Sequence, residues 1–145
     1  MTDPNFLHAG EHVHLGPGVT GTRLTNPSVD LHELPNIDLV LLSHYHADHF
    51  DQKVEAELRR DLPIVTTEHA KECLVDQKEE GEKFTQVTAL PTWQSVIVGS
   101  DDKDLGKNAA RVTAMPGKHV PPGILETANN LLGAVCFPDF SPIWC

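Results

Sequence analysis

The feature that most constrains the fold is a short apolar run followed at once by a cluster of histidines and a carboxylate. The run, Ile37–Leu42, is almost continuously apolar, which is typical of a strand buried on both faces. Residues 43–49 then read Ser-His-Tyr-His-Ala-Asp-His. A strand that ends in a turn is stiff enough to hold such side chains in a coordination polyhedron. The sequence therefore predicts a metal site at the end of a buried strand.

The spacing within this cluster favours two metal positions. His44 and His46 are expected on one side of a tight turn, whereas Asp48 and His49 begin the next helix and face a second position. Two divalent cations lower the pKa of a bridging water to about 7 and polarise a carbonyl or phosphoryl oxygen, so hydrolysis is the expected chemistry. His119, at the end of a later predicted strand, is available as a third imidazole for the first metal. Taken alone, His119 is equally compatible with an ordinary polar surface position.

Three other patterns have weaker claims to a function. His8, His12 and His14 have a spacing compatible with metal binding, but glycines surround them, and we interpret them as a loop rim near the site. Residues 16–21 match a Gly-x-Gly-x-x-Gly string, yet no convincing strand precedes them, so the context of a dinucleotide site is missing. Ser43 lies beside a histidine without the Gly-x-Ser-x-Gly elbow of a serine hydrolase.

Composition restricts the class of protein. The 145 residues suffice for one domain with a core and are too few for two comfortable ones. A net charge of −10 without a basic stripe excludes binding of nucleic acid through its phosphates. The three cysteines form no Cys-x-x-Cys pair, which predicts neither a disulfide framework nor a zinc ribbon. No apolar stretch approaches the roughly 20 residues of a transmembrane segment, and no secretory leader is present, so we expect a cytoplasmic protein.

Beyond the cluster, the residue pattern predicts alternating helices and strands. The first 36 residues are interpreted as irregular apart from a short strand near residues 20–24. The strand, helix, strand, helix order around the cluster implies parallel neighbouring strands joined by right-handed crossovers. The predicted elements after residue 50 are a helix at 51–60, a strand at 63–67, a helix at 68–77 and a meander of three strands at 84–90, 93–98 and 109–115.

The sequence Leu-Leu-Ser-His-Tyr-His-Ala-Asp-His at residues 41–49 resembles the signature of the metallo-β-lactamase superfamily of metal-dependent hydrolases. With Thr-Asp-Pro at residues 2–4 and Pro-Gly-Lys-His-Val-Pro-Pro at 116–122, it is more similar to one branch. That branch includes ascorbate-phosphate lactonase-like proteins and N-acylphosphatidylethanolamine phospholipase D. The resemblance covers residues 2 to 125 and implies the α/β class, as a four-layer αβ/βα sandwich with the site at one edge between two sheets.

The same resemblance implies a cofactor, a substrate class and roles for individual residues. The cofactor would be one or two zinc ions, with manganese as an option, and the substrate a small-molecule ester, lactone or phosphodiester attacked by a metal-bound hydroxide. Asp48 would orient the attacking water, and Asp3 resembles an outer carboxylate near the metals. The ligands that the resemblance implies are His44, His46 and His119 for the first metal and Asp48 and His49 for the second.

The chain departs from the family at both ends, so we expect an incomplete sandwich that consists mainly of its N-terminal half. The family has one or two strands before the Thr-Asp-Pro turn, and a later Gly-Asp-Thr motif and a last histidine that this sequence lacks. We predict a partial domain over residues 1–130 and an atypical tail over 131–145. The alternative function is a catalytically inactive, truncated fragment that binds at most one metal ion and self-associates through exposed sheet edges.

Overall fold

The computed structural model describes residues 1–16, 19–99, 109–116 and 143–144. They belong to two compact units, Met1–Pro91 and Thr92–Cys145. In chain order the elements are β1 (His12–Gly16), β2 (Val19–Thr22), a 3-10 turn (Leu31–Glu33), β3 (Val40–Leu41), α1 (Gln52–Glu57), β4 (Ile64–Thr66), α2 (Glu68–Lys71) with a π-helical continuation (Glu72–Asp76), β5 (Val87–Ala89), β6 (Ser95–Gly99), β7 (Ala109–Met115) and β8 (Ile143–Trp144).

A parallel sheet with the strand order β3-β4-β5 organises the first unit. Val40 pairs with Ile64, and Ile64 pairs on its other side with Val87. The N-terminal residues extend this sheet, because Thr2 forms a parallel bridge to Leu41. Parallel strands need a crossover connection, and α1 and α2 supply the two that this sheet requires. The parallel order expected from the alternation of strands and helices is confirmed.

The hydrophobic core of the first unit lies between this sheet and its helices. Ala70 and Leu74 are fully buried and Cys73 nearly so, and they form the inward face of the second helix. Val54 is likewise fully buried on α1. The buried side chains that pack together in one cluster are Val40, Leu42, Phe50, Val54, Leu62, Ile64, Ala70, Leu74 and Phe84.

The first helix is shorter than the predicted range of 51–60. It ends at Glu57, because Leu58 already has an extended backbone with φ −65° and ψ 137°. The guanidinium of Arg60 donates a hydrogen bond of 2.6 Å to the carbonyl of Glu55, one of the carbonyls that a continuing helix would have used. The charged side chain after the helix thus caps its C-terminal end and stops its propagation.

The N-terminal third contains a hairpin where mostly irregular chain was expected. β1 pairs antiparallel with β2, with His12 opposite Thr22 and His14 opposite Thr20, and the register shifts before Gly16. The strand near residues 20–24 was foreseen and its partner was not. The reason is that polar and apolar residues alternate over only four positions, 12–15, next to glycines, which is too short a run to distinguish a strand from a loop.

The expected three-stranded meander is wrong in its first strand. β5 pairs parallel with β4, and Phe84 just before it lies in the core with 1% of its surface exposed. An alternating pattern identifies a strand without identifying its partner, and the α2 crossover returns the chain to the parallel sheet. In the second unit, β6 and β7 do pair antiparallel, from Ser95 opposite Thr113 to Gly99 opposite Ala109.

The backbone of β8 pairs antiparallel with β7, so two residues of the predicted tail join the sheet of the second unit. The predicted boundary between residues 130 and 131 lies outside the described residues and stays a prediction. Within the described ranges, none of the helices has the length and apolar character needed to cross a bilayer.

Candidate metal centre

The predicted ligands lie on the turn that connects β3 to α1, at the carboxyl end of the parallel sheet. Leu42 continues the strand, because its N–H donates to the carbonyl of Val65 at 3.0 Å and its carbonyl accepts from the hydroxyl of Thr66 at 2.8 Å. The turn then closes on His46, whose carbonyl accepts from the N–H groups of His49 and Phe50 at 3.0 and 2.8 Å. This edge is where parallel α/β sheets usually place their ligands.

Three of the predicted ligands converge on one point. One ligand atom from each of His44, His46 and Asp48 lies within 4.8 Å of the others, and within the part of the chain that the structure describes this is the only such group. The rings of His44 and His46 are 4.7 Å apart between centroids and nearly perpendicular, at 87°. His44 is buried and the other two are half-buried. Two imidazoles and a carboxylate are a donor set that suits zinc, so these residues fit the cofactor that the resemblance implies.

His49 lies beside this group. Its ring centroid is 4.0 Å from that of His44, and its Nε2 is 3.7 Å from a carboxylate oxygen of Asp48. His119 falls outside the described residues. The structure thus brings four of the five predicted ligands together, and Asp48 is near both His49 and the His44/His46 pair. The assignment of each ligand to a first or a second metal stays a prediction.

Asp3 and Ser43 form a hub behind the histidines, although 39 residues separate them in sequence. The carboxylate of Asp3 accepts from the N–H of Ser43 at 2.7 Å and from its hydroxyl at 2.8 Å. It also lies 3.1 Å from Nδ1 of His49, while the Ser43 hydroxyl oxygen lies 2.9 Å from Nδ1 of His44. Asp3 holds this position with a φ of 39°, a left-handed conformation that aspartate tolerates better than most residues.

The hub selects the tautomer of both imidazoles. A hydroxyl has one hydrogen, and Ser43 donates it to Asp3, so the Ser43 oxygen accepts from an Nδ1–H of His44. The ionised carboxylate of Asp3 only accepts, so His49 must also carry its hydrogen on Nδ1. In the neutral form of each ring the lone pair is then on Nε2, the arrangement found in metal-ligating histidines whose other nitrogen is held by an outer partner.

The N-terminal segment is held against the turn by two further contacts. The side-chain amide of Asn5 donates to the carbonyl of Ala47 at 2.9 Å, and the N–H of Phe6 donates to the carboxylate of Asp51 at 2.7 Å. Asp51 is also the N-cap of α1, since it accepts from the N–H groups of Lys53 and Val54 at 2.9 Å each. One buried carboxylate therefore joins the N-terminal segment to the helix that follows the ligands.

Tyr45, between His44 and His46 in sequence, belongs to a separate polar cluster. Its hydroxyl donates to the carboxylate of Glu55 on α1 at 2.6 Å, and Lys78 Nζ lies 2.7 Å from the other oxygen of Glu55 and 3.2 Å from the tyrosine hydroxyl. Burial, and then the hydrogen bond to Glu55, raises the pKa of Tyr45 to about 12. The hydrogen bond to Glu55 likewise raises the pKa of Lys78.

The Tyr45 cluster makes stability fall in strong base. The pKa of Tyr45 is about 12 in the folded chain against a reference of 10.0, so folding favours the protonated phenol. That contribution is complete below pH 10 and is lost as the pH rises towards 12, and the raised pKa of Lys78 acts in the same direction. We expect the free energy of unfolding, measured by urea titration, to decline across this range. The decline should be shallower in Tyr45→Phe, and an equal slope in both proteins would contradict the assignment.

The other histidines of the N-terminal region do not join the ligand group. His12 Nδ1 is 2.9 Å from the hydroxyl of Thr22, His14 is also on β1, and His8 Nε2 is 3.0 Å from the carboxylate of Asp30. His12 and His14 therefore lie on a paired strand and not in the loop rim that the sequence predicted.

Sequence reasoning assigned no function to Ser43 and Tyr45, which the structure places at the site through partners distant in sequence. For Asp3, the Thr-Asp-Pro string was the only feature of the sequence that indicated a position near the metals.

Comparison with known proteins identifies the same fold. The sequence model of a family described as a beta-lactamase superfamily domain matches residues 13–135. Among solved structures, the chain is similar to an isothiocyanate hydrolase from Delia radicum gut bacteria, with a TM-score of 0.54 and 20% sequence identity. The match covers 90% of this chain and 46% of that structure, so the chain spans less than half the length of this relative. The α/β fold class predicted from the sequence is confirmed.

Proposed function

Because the chain belongs to the beta-lactamase superfamily, we propose that it is a metal-dependent hydrolase of a small-molecule ester, lactone or phosphodiester. The observation that carries the proposal is the convergence of His44, His46 and Asp48 at the carboxyl end of the parallel sheet. The contact of Asp3 with His49, which lies beside this group, supports placing the chain in the lactonase-like branch, because that branch has the Thr-Asp-Pro turn at this position.

The proposed cofactor is zinc, as one or two ions, with manganese as an option. His44 and His46 would hold the first ion together with His119, and Asp48 and His49 would contribute to the second. The donor types favour zinc, since imidazole nitrogen and carboxylate oxygen are among its usual ligands and three protein ligands leave a position open for water. When bound, the metal would lower the pKa of a coordinated water and polarise an oxygen of the substrate.

The side chains themselves perform the positioning. A carboxylate oxygen of Asp48 would accept a hydrogen bond from the attacking water. This bond would orient the lone pair of the water oxygen towards the substrate. The Asp3 carboxylate keeps the hydrogen of His49 on Nδ1, and Ser43 does the same for His44, so neither ring has to rotate or change tautomer as the site forms. Such preorganisation is what catalytic groups require from the surrounding structure.

Loss of the hub is expected to weaken metal binding without abolishing it. Asp3→Asn replaces an acceptor-only group with an amide, and Ser43→Ala removes the partner of His44. We expect each to lower the zinc affinity by about 10- to 100-fold, the usual cost of losing an outer partner of a ligating histidine. Competition titration with a chromophoric chelator measures the zinc affinity of each variant.

Asp30→Asn is the matched control for Asp3→Asn, because it changes an exposed carboxylate that also contacts a histidine, His8, but one outside the ligand group. Zinc affinities that fall equally in Asp3→Asn and Asp30→Asn would show that the hub has no specific role in metal binding.

The test of the proposed function combines metal content with turnover. The purified chain is dialysed, its zinc and manganese per chain are measured, and lactones, carboxylic esters, phosphodiesters and an isothiocyanate are assayed. Stoichiometric metal together with metal-dependent turnover of one class supports the hydrolase. A metal-free chain without turnover would instead favour the inactive fragment, and light scattering on the same sample tests self-association through sheet edges.

A further inference from the structure

The cluster of Tyr45, Glu55 and Lys78 is a closed set of polar contacts from three parts of the fold. Tyr45 comes from the turn of residues 43–49 that carries the predicted ligands, here called the ligand turn. Glu55 comes from α1, and Lys78 from the segment after the π-helical continuation of α2. Each member contacts both others, at 2.6 Å for tyrosine and glutamate, 2.7 Å for glutamate and lysine, and 3.2 Å for lysine and tyrosine. The arrangement pairs the charge of a buried carboxylate and fills its hydrogen bonds, which a buried charge requires.

Because Tyr45 lies between two predicted ligands, the cluster restrains the backbone of the metal centre. Its backbone is continuous with His44 on one side and His46 on the other, so fixing its side chain restricts the backbone that carries both imidazoles. The aromatic ring is held independently of the hydroxyl, because it also packs on Phe50 with ring centroids 6.1 Å apart. The nearly perpendicular rings of His44 and His46 are therefore attached to a backbone that Tyr45 holds at the residue between them.

We propose that Tyr45 is a positioning residue whose hydrogen bond to Glu55 holds the turn in the conformation that brings His44 and His46 onto one metal. This inference rests on the proposed function, because it assigns Tyr45 a role in the same metal centre. Lys78 acts through Glu55, because its ammonium group pairs with one oxygen of the carboxylate while the other accepts from the tyrosine hydroxyl. The role assigned to these three residues is to hold the turn, and none of them is given a role as a catalytic residue.

The decisive variant is Tyr45→Phe, which keeps the ring on Phe50 and removes only the hydroxyl. The full chain is titrated with cobalt, whose visible absorption reports coordination geometry, and with zinc in competition. We expect a zinc affinity about 10-fold lower or more, the range for residues that orient ligands from outside the coordination sphere. We also expect an altered cobalt spectrum at saturation, which a loss of stability alone would not produce.

Ile64→Val is the matched control. It removes one buried methylene from β4, whose backbone pairs with Val40 and Val87 rather than with the turn, and lowers stability through the core while leaving the Tyr45 hydroxyl in place. Its cobalt spectrum and zinc affinity are expected to match those of the wild-type chain. If Tyr45→Phe also matches the wild type, or if the two variants lose affinity equally, the positioning role is wrong.

Glu55→Gln is a second route to the same test, because glutamine keeps an acceptor for the Tyr45 hydroxyl and removes the charge. Its zinc affinity should be closer to wild type than that of Tyr45→Phe. An affinity as low as that of Tyr45→Phe would show that charge pairing governs the site, and would overturn the role given to the hydroxyl. A wild-type chain that binds neither cobalt nor zinc contradicts the proposed function itself, whereas a binding-competent wild type with an unaltered Tyr45→Phe contradicts the positioning inference alone.

Discussion

His46→Ala is expected to abolish metal binding and, with it, any hydrolysis by the chain. The substitution removes one of the two imidazoles that converge with Asp48. The first metal would then keep only two of its three proposed ligands, His44 and His119, which is fewer than a zinc site requires. The loss of affinity should exceed the roughly 100-fold that follows the loss of an outer partner, because here a direct ligand is lost. Metal content after dialysis and a zinc competition titration measure the loss, and turnover is followed on whichever substrate class the wild type hydrolyses.

The control for this prediction is His12→Ala. His12 is an exposed histidine on β1 that contacts Thr22 and lies outside the ligand group, so its removal should leave metal content and turnover unchanged. This comparison separates a specific ligand from the general tendency of a chain with nine histidines to collect metal. Retention of stoichiometric metal by His46→Ala, or an equal loss in His12→Ala, would remove His46 from the ligand set.

Asp51→Ala is expected to lower the free energy of unfolding by about 3 kcal/mol, since a lost N-cap costs roughly 1 kcal/mol and each buried donor left unpaired costs about 1–3 kcal/mol. The carboxylate is 3% exposed and accepts hydrogen bonds from the N–H groups of Phe6, Lys53 and Val54. All three donors lose their partner at once, and water has little access to replace it. Urea denaturation of the metal-free chain measures the effect, and zinc affinity should fall as well, because the N-terminal segment that carries Asp3 is released.

Asp61→Ala provides the comparison for Asp51→Ala. Asp61 is exposed, and its nearest cation is Arg59 at 3.7 Å, so its removal should change stability by well under about 1 kcal/mol. Asp51→Asn should fall between the two, because the amide oxygen still accepts one or two of the three hydrogen bonds. Equal stabilities of Asp51→Ala and Asp61→Ala would show that the capping carboxylate does not hold the N-terminal segment.

The fold could be predicted where burial dictates the pattern. The run Ile37–Leu42 contains β3, but only Val40–Leu41 is a strand, and Ile37, Leu39 and Leu41 are half-buried where burial on both faces was predicted. The buried positions of Val54 and Ile64 identify α1 and β4, because each element must bury apolar side chains at a fixed period. The prediction missed β1, because its alternating pattern covers only four residues. The pairing of β5 failed for another reason: period-two alternation specifies a face and not a neighbour.

In the candidate site, likewise, some residues could be predicted from the sequence and others could not. His44, His46, Asp48 and His49 are adjacent in sequence, so their spacing alone predicted that they would lie together, and they do. The outer partners could not be found by spacing. Ser43 is paired with a residue 40 positions earlier and Tyr45 with one 33 positions later, and a serine beside a histidine or a tyrosine between two histidines has no local signature of either role.

The sequence by itself determined the ligand types, their order and their attachment to a buried strand, because these depend only on neighbouring residues and on hydrophobic periodicity. Only the tertiary structure decided which nitrogen of each imidazole carries the hydrogen and what holds the turn in place. Those properties depend on contacts between segments that the chain brings together on folding: the N-terminal Asp3 beside the turn, and Glu55 with Lys78 behind it. A hydrogen bond over a few ångströms depends on the whole path of the backbone, which no local pattern encodes.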